Sequence, residues 1–368
     1  MQRIVLTGLA LIPAVAAVFP LSGIALAVSG LGSAYALVAS LRPQPIRISR
    51  TTPGAHRATT LLRGPLPKSD RSALPDQSAI SHHLMRVLAA ANDFQPPGVP
   101  LDRDTAIART LSGFMQGWRT QNLSKLTASQ RSELYLINTL LRAEPGEAGR
   151  LAQLFARPDT MLDLRDEIDL ITLRRASFDR DYNAFLATQS LWDSAVAPRD
   201  LSEALQSMAS QDIDLWHHVT LHHDLHDPAQ RSAALWCLSQ ATCDRATLAA
   251  YFGRLTKDQF LRSPKAQADP AYLAAVQDLI QKWNSGFYKH HELALTSPHS
   301  VATMQPFFDA ELDYLSAQCD QHWPDPHCIF IEFDGRAPRN RDHWDLRSGQ
   351  VTAPPRQNDY FERAFEAL

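Results

Sequence analysis

From Ile4 to Leu41 the chain runs for 38 residues without Asp, Glu, Lys, Arg or His, bounded by Arg3 and Arg42. A helix needs about 20 apolar residues to cross the roughly 30 Å hydrocarbon core of a bilayer. The run is too long for one span and suits two short ones. Phe19-Pro20-Leu21-Ser22-Gly23 puts a helix breaker and a glycine at its midpoint. The pattern predicts a transmembrane helical hairpin within residues 1–41, with arms Ile4 to Phe19 and Ile24 to Leu41. Ser29, Gly30, Gly32 and Ser33 in the second arm are small enough to let two helices approach closely in lipid, and Pro13 kinks the first arm.

A single signal-anchor and a cleaved signal peptide ending near Ala25-Leu26-Ala27 are the alternatives. Charge separates the three. Between Arg42 and Arg71 six arginines and Lys68 face one acid, Asp70, so this flank is formally +6. Positive flanks stay in the cytoplasm, which favours both ends of a hairpin inside a bacterial inner membrane, with the body cytoplasmic. An exported or periplasmic body is the other possibility. The formal charge of the whole chain is -3, and setting aside Arg3 and the flank leaves -10 for residues 72–368. An acidic body argues against nucleic acid as a partner, whereas the basic flank suits anionic lipid headgroups.

Residues 42–78 are rich in Pro, Arg, Ser and Thr and read as a basic flexible linker. The remainder is expected to be mainly α, with a few short strands near the C-terminus: a helical domain over 79–211, a helical module over 212–300 and an extension over 301–368. Helices are expected over Ile80 to Phe94 and Asp102 to Gln121. Another follows the capping box Thr127-Ala128-Ser129-Gln130, and a short one opens at Pro145. Further helices are predicted at about 159–173, 177–190 and 200–210. Asp244 is placed to cap a helix running through Tyr251 and Phe252, Ala274 to Trp283 reads as helical, and Gly286 supplies a left-handed stop. Cys328 to Phe333 reads as a strand.

Several features of the module resemble the bacterial domain of unknown function numbered 4274. They are His222 or His223, Asp227, Trp236, Cys243-Asp244, Ala246-Thr247, Tyr251-Phe252 and Ser285-Gly286-Phe287-Tyr288. The similarity covers roughly residues 212–298. It implies a small helical module, and it implies no activity and no catalytic residues.

His218, His222 and His226 are spaced i, i+4, i+8, so on a continuous helix they share a face and form a candidate metal site, with zinc the candidate ion. No His-Glu-x-x-His accompanies them. The competing reading is half-buried histidines at a helix end, where an imidazolium suits the dipole. Cys319-x2-His322 followed by His327-Cys328 offers four zinc-type ligands, but adjacent ligands and two prolines make it a poor match to zinc spacing. On export, Cys319 and Cys328 become the expected disulfide. Gly-x-Ser-x-Gly, Walker, Rossmann and kinase motifs are absent from the sequence. The functional expectation is a non-catalytic, membrane-anchored protein-interaction module, of immunity-like or scaffold type, with no cofactor. A metal-dependent hydrolase using His218, His222 and His226, and an exported envelope protein, are the alternatives.

Overall fold

The computed structural model describes residues 61–295, 301–319, 322–331 and 334–361, without the side chains of 301–303 and 319. The expected hairpin of residues 1–41 lies outside the described residues. Among the described residues, no helix is long and apolar enough to cross a membrane.

The described chain is mainly helical. The first six helices are α1 (Lys68–Ala73), α2 (Gln77–Ala89), α3 (Arg103–Gly117), α4 (Ala128–Arg142), α5 (Pro145–Ala152) and α6 (Pro158–Asp193). The next four are α7 (Leu201–Ser207), α8 (Ile213–His222), α9 (Pro228–Ser239) and α10 (Arg245–Lys257). After α11 (Pro264–Gln267) and α12 (Pro270–Asn284) comes α13 (Val301–Cys319), then a hairpin of β1 (Trp344–Asp345) and β2 (Gln350–Val351). One residue type starts most of these helices. Asp76, Asp102, Asp200, Asp212, Asp227, Asp244 and Asp269 each cap a helix by accepting a backbone N–H of its first turn. At α4 the capping box of Thr127 and Gln130 forms in both directions.

Two apolar cores result. The first is built by α2 to α5 and the beginning of α6, around Ile80, Ile107, Leu111, Leu134, Ile137 and Leu140. The end of the expected linker is tied into it. Leu61 and Leu62 pack on this core, Arg63 N donates to Leu154 O (2.9 Å) and Ala156 N donates to Leu61 O (3.0 Å). The second core runs from Leu201 to Trp344 and draws on α7 to α10, α12, α13 and the loops after them. Phe308, Leu312, Leu315, Trp323 and Ile329 of the 301–368 stretch belong to the same cluster as the 212–300 module.

One 36-residue helix, α6, joins the cores where two helices are predicted from the sequence. No Pro or Gly separates 173 from 177, and Arg175 Nε donates to both carboxylate oxygens of Asp179 one turn on (2.8 Å each), bracing the expected break. At about 1.5 Å per residue it is roughly 54 Å long. Its first half carries Met161 and Ile168 into the first core, and its second half carries Phe178, Ala184 and Phe185 onto Tyr360 and Phe361.

The expected strand after Cys328 is not formed where it is described. Residues 327–330 are turns, and Cys328 takes φ +54°, a left-handed conformation incompatible with a strand. The loop is instead pinned to the end of α12. Trp283 Nε1 donates to His327 O (2.9 Å), and Asn284 bonds both Asp325 O (2.8 Å) and His327 N (3.0 Å). Gly286 adopts φ +70° and closes α12 as the sequence predicts, with Phe287 N donating to Lys282 O (3.0 Å).

Candidate functional site

The densest polar grouping lies where α6, α8, the extended stretch at 290–295 and the stretch at 336–341 converge. It starts from two aspartates in the first turn of α8. Asp212 Oδ1 accepts from Asp214 N (3.1 Å) and Leu215 N (3.0 Å), and the same carboxylate takes Arg341 Nε (2.8 Å) and Nη2 (3.1 Å). Asp214 is held in a fork by Arg336 Nη1 (2.7 Å) and Nη2 (2.9 Å), and also accepts from Arg339 N (2.9 Å). From α6, Asp181 receives Arg339 Nη1 (2.7 Å) and Arg180 Nη2 (2.8 Å). Glu292 completes the group, taking Arg180 Nη1 (2.7 Å) and Arg336 Nε (2.9 Å).

Four carboxylates thus face four guanidinium groups. Arg341 is only 1% exposed and lies over the Tyr360 ring, its carbon 3.9 Å from the centroid. Asp244 adds a further tie. Its Oδ1 caps α10 through Ala246 N (2.8 Å), while Oδ2 accepts from Glu292 N (2.6 Å) and Leu293 N (3.0 Å). Gly335 passes so close to residues 292–294 that a Cβ would lie 2.6 Å from Glu292 O.

The electrostatics suit a clamp better than a catalyst. Burial works against ionised Glu292, but hydrogen bonds and charges from Arg180 and Arg336 hold it down to about 2. Burial likewise opposes ionised Asp212, and Arg341 keeps its carboxyl below the usual range. Carboxylates held ionised in this way are weak bases, far from the near-neutral pKa that proton transfer calls for. Asp244 differs, because burial pushes it upward despite three backbone donors.

The sequence-predicted metal ligands do not converge. Helix α8 ends at His222, since His223 turns to an extended conformation and Asp224 and Asp227 build a turn before Pro228. His226 therefore leaves the row, and its ring sits edge-on against Phe260 at 5.8 Å. His218 and His222 stack, with centroids 4.5 Å apart and planes 23° from parallel, so their lone pairs run side by side. His222 Nδ1 donates to His218 O (3.0 Å). Among the described residues, no group of three or more His, Cys, Asp and Glu side chains is arranged to hold a metal ion.

The two other histidines of α8 and its end are interior. His217 Nδ1 pairs with Thr247 Oγ1 (2.9 Å), and burial lowers its pKa to about 4. His223 is wholly buried, and burial followed by the nearby Arg254 charge lowers it to about 4. Its Nδ1 lies 3.1 Å from Val219 O, 2.9 Å from Thr220 O and 3.2 Å from Arg254 Nη1. His218 is also lowered to about 4, by burial and then by His222.

Cys237 and Cys243 are buried thiols, raised well above the usual range by burial, and Cys328 is an exposed free thiol. Two shallow open depressions on the described surface lie away from the charge network. One of about 540 Å³ is lined by Leu186, Gln189, Ser190, Asp193 and Ser194. The other, of about 550 Å³, is lined by Arg199, Asp200, Ser202, Glu203, Gln206 and Ser207.

Arg336, Arg339 and Arg341 are the functional-looking residues that sequence reasoning passes over. Three arginines within six residues of an acidic body are the available signal, but their aspartate partners lie more than 120 positions away. No family model, curated protein or solved structure matches this chain.

Proposed function

We infer that this protein is a membrane-anchored interaction module that works by protein contact and not by catalysis, in an immunity-like or scaffold role. The observation that carries the reading is the outer face of α13. This helix buries Phe308, Leu312 and Leu315 against the second core, yet Phe307, Ala310, Tyr314 and Ala317 form an exposed row at i, i+3, i+7, i+10. Phe307 is 65% exposed. Exposed apolar rows of this kind are where soluble surfaces meet partners. The self-neutralised charge network supports the same reading, because its carboxylates are engaged in holding elements together.

Anchoring rests on the run Ile4 to Leu41, and its +6 flank supports a body on the cytoplasmic side of a bacterial inner membrane. Within this reading, residues 212–298 are the module similar to the bacterial domain of unknown function. The test is affinity capture from detergent-solubilised membranes, comparing the full chain with Phe307→Asp/Tyr314→Asp. A partner retained by the first and lost by the second is expected. Recovery of no stable partner, or equal recovery by both, overturns the reading.

A further inference from the structure

Helix α13 buries one polar side chain that its surroundings leave unserved. Glu311 is 2% exposed, and neither of its carboxylate oxygens accepts a hydrogen bond among the described residues. A buried carboxylate without donors is costly when ionised, and burial lifts this one to about 7. A cation stands nearby. Arg262, in the turn after α10, holds its Nε 3.9 Å from Glu311 Oε1, beyond hydrogen-bond reach.

Arg262 is engaged elsewhere. Its Nη2 donates to Ala310 O (2.7 Å), and its guanidinium carbon lies 5.1 Å from the centre of the Tyr314 ring. Ala310 and Tyr314 both belong to the exposed row of α13. At about 100° per residue, Glu311 falls roughly 40° from Phe307 on one side and roughly 40° from buried Leu315 on the other, at the border of that row. A guanidinium forks onto a carboxylate through two adjacent N–H groups at about 2.8 Å. For Arg262 the side facing Glu311 offers Nε and Nη2, and Nη2 is committed to Ala310 O. A fork on Glu311 and the cover over Ala310 and Tyr314 therefore exclude each other.

The other titratable groups on the elements packed against α13 are turned away. On α10, Arg245 lies over Trp283, Tyr251 bonds Tyr272, Arg254 bonds Thr220 O and His223 O, and Lys257 is exposed. Asp258 pairs with Arg254. In the loop that meets α13 through Trp323 and Phe330, His322, Asp325, His327 and Cys328 are exposed. On α13 itself Asp309 accepts from Gln305 Nε2 (2.7 Å), and Asp313 is exposed. Arg262 is the charge that acts on Glu311.

We propose that Glu311 and Arg262 form a proton-gated latch on the exposed row of α13. With Glu311 neutral, Arg262 rests on Ala310 O and the Tyr314 ring, as in the structure; once Glu311 releases its proton to water, Arg262 turns into a fork with it and uncovers Tyr314. As regulation of partner contact, the latch rests on the reading of this face as a partner site. Rising pH then exposes more aromatic surface to the partner.

The test is hydroxyl-radical footprinting of the full chain in detergent, with the labelling of Tyr314 divided by that of Tyr182, an exposed tyrosine of α6. Between about pH 6 and about pH 8 a group titrating near 7 goes from about one-tenth to about nine-tenths ionised. The ratio should rise over that range, stay low at both ends in Glu311→Gln and stay high at both ends in Arg262→Met. A flat ratio in the unmodified chain, a rise that survives in Glu311→Gln, or a low ratio in Arg262→Met overturns the latch. Footprinting needs no partner, so a latch that fails and a face that binds nothing are separately visible.

Discussion

Replacing Arg341 by Met removes the cation from a deeply enclosed ion pair while keeping much of the side-chain volume. Arg341 and its partner Asp212 have side chains 1% and 2% exposed, so water does not compensate the carboxylate that remains. Unit charges about 4 Å apart interact by about 4 kcal/mol at an effective dielectric of about 20. Removing one partner of a buried pair costs about 3–5 kcal/mol. Two features moderate the loss: Asp212 keeps the hydrogen bonds from Asp214 N and Leu215 N, and Arg336 stays on neighbouring Asp214.

Other contacts add to the loss. The Arg341 bonds to the carbonyls of Asn340 and Asp359, and its stacking on Tyr360, also disappear. We expect about 3–4 kcal/mol of destabilisation. The assay is urea unfolding followed by tryptophan fluorescence, which reports mainly the second core because Trp216, Trp283, Trp323 and Trp344 are buried there. At a slope of about 2 kcal/mol per molar urea, the midpoint falls by about 1.5–2 M. Asp212→Asn supplies the control, since an amide still accepts from Leu215 N. In the double variant the orphaned charge is gone, and it should recover about 2 kcal/mol relative to the sum of the single variants. Strict additivity, or a loss below about 1 kcal/mol for Arg341→Met, refutes the reasoning.

Acid should destabilise the second core through its interior histidines. His217 and His223 are lowered to about 4 from an ordinary 6.5, so they contribute stability above pH 6.5 that is lost as pH falls toward 4. Each removes up to about 1.4 kcal/mol per pH unit in that window, and a pH series of urea midpoints with His217→Gln and His223→Gln should flatten it. Glu311 acts with the opposite sign. It is buried on α13 with neither oxygen hydrogen-bonded, 3.9 Å from Arg262, and burial lifts it to about 7. Its neutral form fits best below pH 4.5, and its fit worsens as pH rises through 7. Glu311→Gln should therefore raise the melting temperature at pH 8, by on the order of 1–3 kcal/mol of stability, and have little effect at pH 5. Gly349→Ala combines φ +71° with a Cβ placed 2.6 Å from Leu201 Cα, and should cost more than about 2 kcal/mol by thermal melting. An unchanged melting temperature there removes the argument for close approach.

Local order was largely written into the chain. The capping box at Thr127, the Asp244 cap and the Gly286 stop are all found where short-range patterns place them, because each uses hydrogen bonds that span a few residues. Helical periodicity located most helices of both cores for the same reason. Continuity was harder to read. Whether two helical patterns merge into α6 depends on what packs along both halves, and whether the row of His218, His222 and His226 stays on one helix depends on a turn that Asp224 and Asp227 build.

Helix α13, which carries Pro306, was not among the helices expected from those patterns. The charge network belonged to tertiary structure altogether. Nothing near Arg336, Arg339 or Arg341 in the sequence points to Asp214, Asp181 or Asp212. Composition alone made the body acidic and the flank basic. Only the fold brought arginines from one end of the chain against aspartates of α6 and α8, since the Coulomb term and the desolvation that sharpens it depend on distance in space and not on separation along the chain.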